Sequence, residues 1–321
     1  MHPAALNRKA SPPSSVPPLA LAAVVAANVF LAFGPVFVRQ ADVGPVAAAF
    51  WRMALALPLI ALAAWATRPR GAPMPHLSGG AWLLIAAAGV AFAGDLGAWH
   101  IGILHTTMAN ATLFGNCATF IFPLYGFLMA RAWPTRTQGI ALLLALAGTV
   151  LLMGRSYQLD PRHLVGDLLS VVAGVLYAIY FVMMSTIRRT LSPLPALGLS
   201  SAASLLPLLA LALVLGETVM PGNWTPLVTL ALMAQVAGQG CMIYALGKLS
   251  PLVVGLALLI QPVVAMAVGW IVFAERLGAP DLVGILMVAA ALVLVRRDPD
   301  PGREVIGAAT PAANLAPEET R

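Results

Sequence analysis

The chain of 321 residues is 60% hydrophobic and only 9% charged, whereas soluble domains carry roughly 25% charged residues. That composition excludes an ordinary soluble domain. The two cysteines, Cys117 and Cys241, fall inside apolar stretches and away from any metal-ligand spacing, so neither a disulfide framework nor a zinc site is expected.

Residues 1–18, "MHPAALNRKASPPSSVPP", are rich in proline and serine and predict a disordered N-terminus. From residue 19 onward, apolar runs recur, and a helix needs about 20 such residues to cross the hydrocarbon of a bilayer. Ten spans are expected: 19–38, 46–66, 81–104, 108–129, 136–154, 164–187, 196–215, 225–246, 251–273 and 279–296. The first run is longer than a signal-peptide core, so it reads as a retained helix. Linkers such as "TRPRGAPMPHLSGG" (67–80) are too short for an inserted soluble domain. The runs are too long and too evenly apolar for barrel strands, and backbone amides in lipid must be satisfied within their own segment. The expected fold is therefore an all-α integral membrane protein, followed by a disordered polar tail at 297–321.

Basic residues set the expected orientation. With a cytoplasmic N-terminus, thirteen arginines and lysines fall in inside segments, among them Arg68, Arg70, Arg131, Arg136, Arg188, Arg189 and Lys248. Only Arg39, Arg155, Arg162 and Arg276 fall outside, and Arg52 lies within the second span. This bias predicts that both termini are cytoplasmic in a multi-pass inner-membrane protein. The +6 net charge thus records topology, and no nucleic-acid partner is expected.

Sliding the chain by 145 residues aligns 99–148 with 244–293 without a gap. Gly102 meets Gly247, Asn116 meets Gln261, Arg131 meets Arg276 and Gly139 meets Gly284. Two five-helix repeats are expected, 19–154 and 164–296. Because five is odd, the second enters the membrane from the opposite side. Inverted repeats recur in secondary transporters, whose substrate sites lie near the midplane where the repeats meet.

The segment "YALGKLSPLVVGLALLIQPVVAMAVGWIVFAERLGAPDLVGILMVAAALVLV" carries Pro262, the pair Glu275 and Arg276, and Gly284. It resembles the last two helices of the drug/metabolite transporter superfamily, in its EamA-type ten-helix branch. "FWRMALALPL" is similar to that family's second helix, with Arg52 at the place where an arginine often stands. The first half departs from the pattern, with Ala130 where the second has Glu275 and Cys117 where it has Pro262. Within the superfamily the chain looks most like bacterial exporters of aromatic and other neutral amino acids, the YddG type. The resemblance implies export of amino acids or related small metabolites by alternating access, without a cofactor or metal and without enzymatic activity. A broad drug or metabolite permease is the alternative within the fold, and a channel or structural bundle the alternative outside it. A monomer in the bilayer, with a small-molecule substrate, is the expected assembly.

Polar groups inside spans nominate the site. An ionisable group at mid-membrane costs about 2.5–3.5 kcal/mol on insertion scales, so it faces the bundle interior or a wet cavity. Asp95 is the only acid read as lying well inside a span, with Trp99 one turn away on the same face. It is a candidate substrate ligand and proton carrier, or else a helix–helix bonding group paired with His100, Arg52 or a backbone amide. His100 and His105 read as structural or interfacial at least as well. Thr112, Asn116 and Thr119 form a polar stripe that either lines a cavity or bonds neighbouring helices. Gln235 and Gln239 lie one turn apart in the eighth span, at a depth comparable to Asp95 in the repeat. Tyr177 and Tyr180 share one side of the sixth span, and Tyr244 is the repeat partner of Trp99. The expected substrate-binding set is thus Asp95, Trp99, Asn116, Tyr177, Gln235, Gln239, Tyr244 and Gln261, with Pro262 as a hinge or a static kink. Trp51, Trp65, Trp82, Trp133, Trp224 and Trp270 sit near span ends and read as an interfacial belt.

Other membrane functions fit less well. The nearest string to a phosphate-binding loop, "MIYALGKLS", has Met242 in place of the first glycine and Leu249 after the lysine. No second intramembrane acid accompanies Asp95 for an aspartyl protease, and no G-x-S-x-G occurs. Lys248 lies in a loop, where it cannot serve as a retinal lysine.

Overall fold

The computed structural model describes residues 17–69, 76–106, 108–154, 161–264, 267 and 278–297. Among these residues the chain is helical and contains no strand. The first apolar run forms α1 (Pro18–Ala32) and α2 (Gly34–Gln40), divided at Phe33. Pro35 accounts for the division, since it cannot donate to the carbonyl of Leu31 one turn back. Next come α3 (Pro45–Ala66) and α4 (Gly79–His105), the latter N-capped by the Ser78 hydroxyl, which accepts from the Ala81 amide.

The fourth run is also divided, into α5 (Met108–Gly115) and α6 (Ala118–Ala130). No proline stands at this break. Instead the Asn116 side chain and its own backbone amide share the Thr112 carbonyl at 2.8 and 3.1 Å, and the Cys117 amide turns to the Phe114 carbonyl three residues back. α7 (Arg136–Gly154) starts behind a capping box in which Thr135 and Gln138 each accept from the other's backbone amide. Then follow α8 (Leu164–Ile187) and α9 (Pro193–Val214).

The eighth run starts as α10 (Thr225–Leu230), widens into a π-helix over Ala231–Gln239 and resumes as α11 (Gly240–Leu246). α12 (Pro251–Ala257) passes through an irregular turn at Leu258 and Leu259 into a further helical turn ending at Val264. Pro262, four residues beyond Leu258, removes one helical hydrogen bond there and crowds the carbonyl. α13 (Ala279–Arg297) closes the described chain.

Among the described residues, six helical stretches are long and apolar enough to cross a membrane: Pro18–Gln40, Pro45–Ala66, Gly79–His105, Pro161–Ile187, Pro193–Val214 and Thr225–Leu246. Shorter apolar helices cover Ala118–Ala130, Arg136–Leu152, Pro251–Val264 and Ala279–Val295.

Small residues let these helices approach closely, as expected where lipid supplies no hydrophobic drive for association. α4 lies along α8, where a side chain on Gly102 would meet the Gly166 carbonyl at 3.1 Å and one on Gly166 would meet the Thr106 amide at 2.7 Å. α7 pairs with α13, their backbones meeting at Gly148 and Gly284. α6 pairs with α12 through Gly126 against Pro251 and Gly255 against Pro123. The loop after α9 folds back on α3, where the Glu217 carboxylate accepts from the amides of Val46 and Ala47 at 3.2 and 2.8 Å and so caps the helix. Trp65, Trp82 and Trp133 are exposed, whereas the Trp51 indole donates to the Val219 carbonyl and meets Trp224 edge-on. Trp270 and the Glu275–Arg276 pair lie outside the described residues.

Candidate functional site

Each of the four interrupted helices delivers residues to one interior cavity. Ala32 and Pro35 flank the α1–α2 break, Gly115 and Asn116 stand at the α5–α6 break, Gln239 ends the π-helix, and Gln261 follows the irregular turn after α12. Broken helices place polar groups at depth without exposing backbone to lipid, because the freed groups face protein or the cavity. The cavity is about 80 Å³, room for a few waters and well short of the roughly 300–1,000 Å³ of sites that enclose drug-sized ligands. A larger solute therefore needs the helices to part.

Arg52 of α3 supplies the positive charge. It is buried, its Nε donates to Gln235 Oε1 at 3.1 Å, and Gln235 Nε2 donates in turn to Ser201 Oγ at 2.9 Å. The guanidinium carbon stands 6.0 Å from the ring centre of Phe92, which stacks on Tyr180 at 4.3 Å. These contacts hold Arg52 against the cavity wall. Asp95 of α4 supplies a carboxyl group, within electrostatic range of Arg52. Among the described residues its carboxylate has neither a hydrogen bond nor an ion pair within 4.0 Å. Both side chains border the same space without closing on each other.

Amides complete the polar layer. Gln239 Nε2 donates to the Tyr177 hydroxyl at 3.1 Å, leaving Gln239 Oε1 buried with no partner among the described residues. Gln261 Nε2 donates to Asn28 Oδ1 at 2.9 Å, and Asn28 is itself anchored to the Val24 carbonyl. Trp99 forms an apolar wall, fitted against Gly115, where an added side chain would come within 3.3 Å of the indole nitrogen.

Six of the eight residues expected from sequence meet here: Asp95, Trp99, Asn116, Tyr177, Gln239 and Gln261. The other two do not join them. Gln235 is fully buried behind the wall as the support of Arg52. Tyr244 sits beyond the cavity, its ring 4.8 Å from the Lys248 ammonium. Pro262 is buried next to Gln261 without lining the space. His100 turns away, with Nδ1 2.9 Å from the Pro45 carbonyl, and Thr119 is buried outside the cavity.

Three participants were missed as site residues. Arg52 entered as the arginine of the family-like second span and as a partner for Asp95, and not as a site residue. Phe92 had a signal in its spacing, three residues before Asp95 on the same helix. Asn28 had a plainer one, as the only polar side chain between residues 19 and 38. A second buried acid, Asp167, was also overlooked because it stands in the first turn of its helix.

Membrane-length helices surrounding a polar cavity define a multi-pass membrane protein. The model of the EamA-like transporter family matches residues 18–154 and again 164–297, and the chain belongs to that family. An uncharacterized transporter of Archaeoglobus fulgidus is 31% identical over 170 residues, 52% of this chain and 56% of that relative. The chain thus aligns with just over half the length of that curated relative. A protein known from a crystal structure superposes with a TM-score of 0.68 at 17% identity, covering 86% of this chain and 97% of the other. At that identity the likeness speaks for the fold alone. Both halves of the chain thus carry the family's pattern.

Proposed function

We propose that the protein is a secondary transporter that exports amino acids, aromatic and other neutral ones, or closely related small metabolites. The observation that carries this reading is the Arg52 guanidinium and the unbonded Asp95 carboxyl group that border one cavity without joining. A zwitterion supplies the missing partner to each: its carboxylate to Arg52, its ammonium to Asp95 and to the free acceptor of Gln239. Trp99, Phe92 and Tyr177 offer rigid apolar faces to a side chain. Asn116 and Gln261 stand at the two helix breaks and orient the substrate from either side.

In this reading the ten runs form two inverted five-helix repeats that rock about the cavity, opening it inward and outward in turn. The helix interruptions serve as hinges, Pro262 among them. Asp95 is the candidate proton carrier. The protein sits in an inner membrane with both termini cytoplasmic, an orientation favoured by the basic residues, and works as a monomer.

Counterflow of labelled amino acids by the purified protein in liposomes tests the proposal. Saturable, stereoselective exchange is expected for neutral amino acids. No exchange of any amino acid, with exchange of unrelated organic cations, would move the assignment to a drug permease. Non-saturable flux would favour a channel.

A further inference from the structure

Between α6 and α7 the structure holds a second, larger space unrelated to the polar cavity. The two helices are consecutive in the chain yet diverge: α6 packs on α12 and α8, while α7 packs on α13. A groove of about 670 Å³ is left between them. Its walls are apolar over their length, from Phe120 and Leu124 on α6 to Leu143 and Leu146 on α7. One end is different. There the chain leaves α6 through Arg131 in the left-handed conformation (φ 49°) and runs through Ala132, Trp133 and Pro134 to α7.

That end has the chemistry of a membrane interface. Among the described residues Arg131 is the only charged one lining the groove, none lining it is acidic, and Arg136 is exposed just beyond it. Trp133 is 93% exposed, the arrangement of an indole at headgroup level. Left-handed backbone is unfavourable by about 1–2 kcal/mol for a residue with a side chain, so the turn that presents Arg131 is held against a local preference.

We propose that this groove is a binding site for a phospholipid with an anionic headgroup. Its acyl chains fill the gap between the diverging helices, and its phosphate and anionic headgroup pair with Arg131, with Arg136 adding field at the rim. The apolar length excludes a free anion as the natural occupant, since phosphate alone leaves the groove unfilled. The concentration of cationic charge at one end argues against a second copy of this chain, which offers no acidic segment among its described lipid-facing residues to meet it. The occupant would brace α6, whose opposite end abuts Asn116 and the polar cavity. The inference does not depend on the substrate or on the direction of transport.

The test is native mass spectrometry of the purified full chain with added phosphatidylglycerol or phosphatidylcholine. It uses the wild type, Arg131→Gln and the groove-filling Leu143→Trp, with melting temperatures as the folding control. Wild type should retain phosphatidylglycerol preferentially. Arg131→Gln should lower that preference by about fivefold, equivalent to about 1 kcal/mol for one interfacial arginine. Leu143→Trp should reduce retention of both lipids. Equal retention of the two lipids by wild type overturns the headgroup assignment. Undiminished retention in Leu143→Trp overturns the groove as the site. Displacement of phosphatidylglycerol by glycerol phosphate alone, or chain dimers in place of lipid adducts, would overturn a lipid as the occupant.

Discussion

Asp95 and Asp167 are equally buried, each 8% exposed, and their surroundings are opposite. Asp167 accepts from the Thr106 hydroxyl at 2.6 Å and from the Asn110 amide at 3.0 and 3.3 Å, tying α4, α5 and α8 together near one end of the bundle. Asp95 accepts no hydrogen bond from any described residue and faces the cavity. A buried carboxylate is unfavourable unless satisfied, so the first acid is built into the architecture and the second leaves its bonding capacity for something that comes and goes. Burial alone does not separate the two roles. Bonding does.

The largest expected effect follows from removing the unsatisfied charge. Asp95→Asn should lower counterflow by about 100-fold, the scale of a lost hydrogen bond to a charged group at up to about 3 kcal/mol. Its melting temperature should hold or rise, because nothing in the structure is deprived of a partner. A well-folded variant that still transports at the wild-type rate would remove Asp95 from the site. Asp167→Ala should do the reverse. It leaves the Thr106 hydroxyl and the Asn110 amide without this acceptor and should reduce stability by about 1–3 kcal/mol, read as a lower melting temperature, with exchange per folded molecule little changed. Loss of exchange without loss of stability would make Asp167 a second functional acid.

Gln239 and Gln235 repeat the contrast on one helix. Gln239→Leu should weaken substrate binding by about tenfold, one hydrogen bond's worth at about 1.4 kcal/mol, with stability nearly unchanged. Gln235→Leu should act mainly on stability, since it strips Arg52 Nε and the Ser201 hydroxyl of their partner. If binding by titration falls equally in both, the two glutamines form one functional unit and the distinction drawn here fails.

What was legible in the sequence follows the same division. The apolar runs located the helices, because hydrophobic length is dictated by the bilayer whatever the neighbours. Asp95, Trp99 and the amides were legible as polar or aromatic groups in apolar surroundings. The roles within the eighth run were not: Gln235 and Gln239 read alike one turn apart, yet Gln235 supports Arg52 and Gln239 lines the cavity, on a turn widened into a π-helix over Ala231–Gln239. No local residue signals that widening. Asn28 was legible and passed over, since one asparagine in an apolar run reads as an isolated residue until Gln261 arrives from 233 positions away.

The two helix breaks that face each other across the repeat alignment offer the smallest and sharpest test. Asn116–Cys117 and Gln261–Pro262 occupy equivalent positions, yet only the second has a proline. In the first half the Asn116 side chain shares the Thr112 carbonyl with its own backbone amide, and Gly174 of α8 leaves room for the backbone at Gly115. In the second, the proline itself withholds the amide. The first break is held by contacts with neighbours that must be remade when helices move, whereas the second is intrinsic to the chain and survives movement. Pro262→Ala should therefore slow counterflow by about fivefold, equivalent to about 1 kcal/mol on the barrier, without changing substrate affinity. Asn116→Ala should alter affinity more than rate. An unchanged rate in Pro262→Ala would leave its kink as a fixed shape and assign the moving element to the other half of the chain.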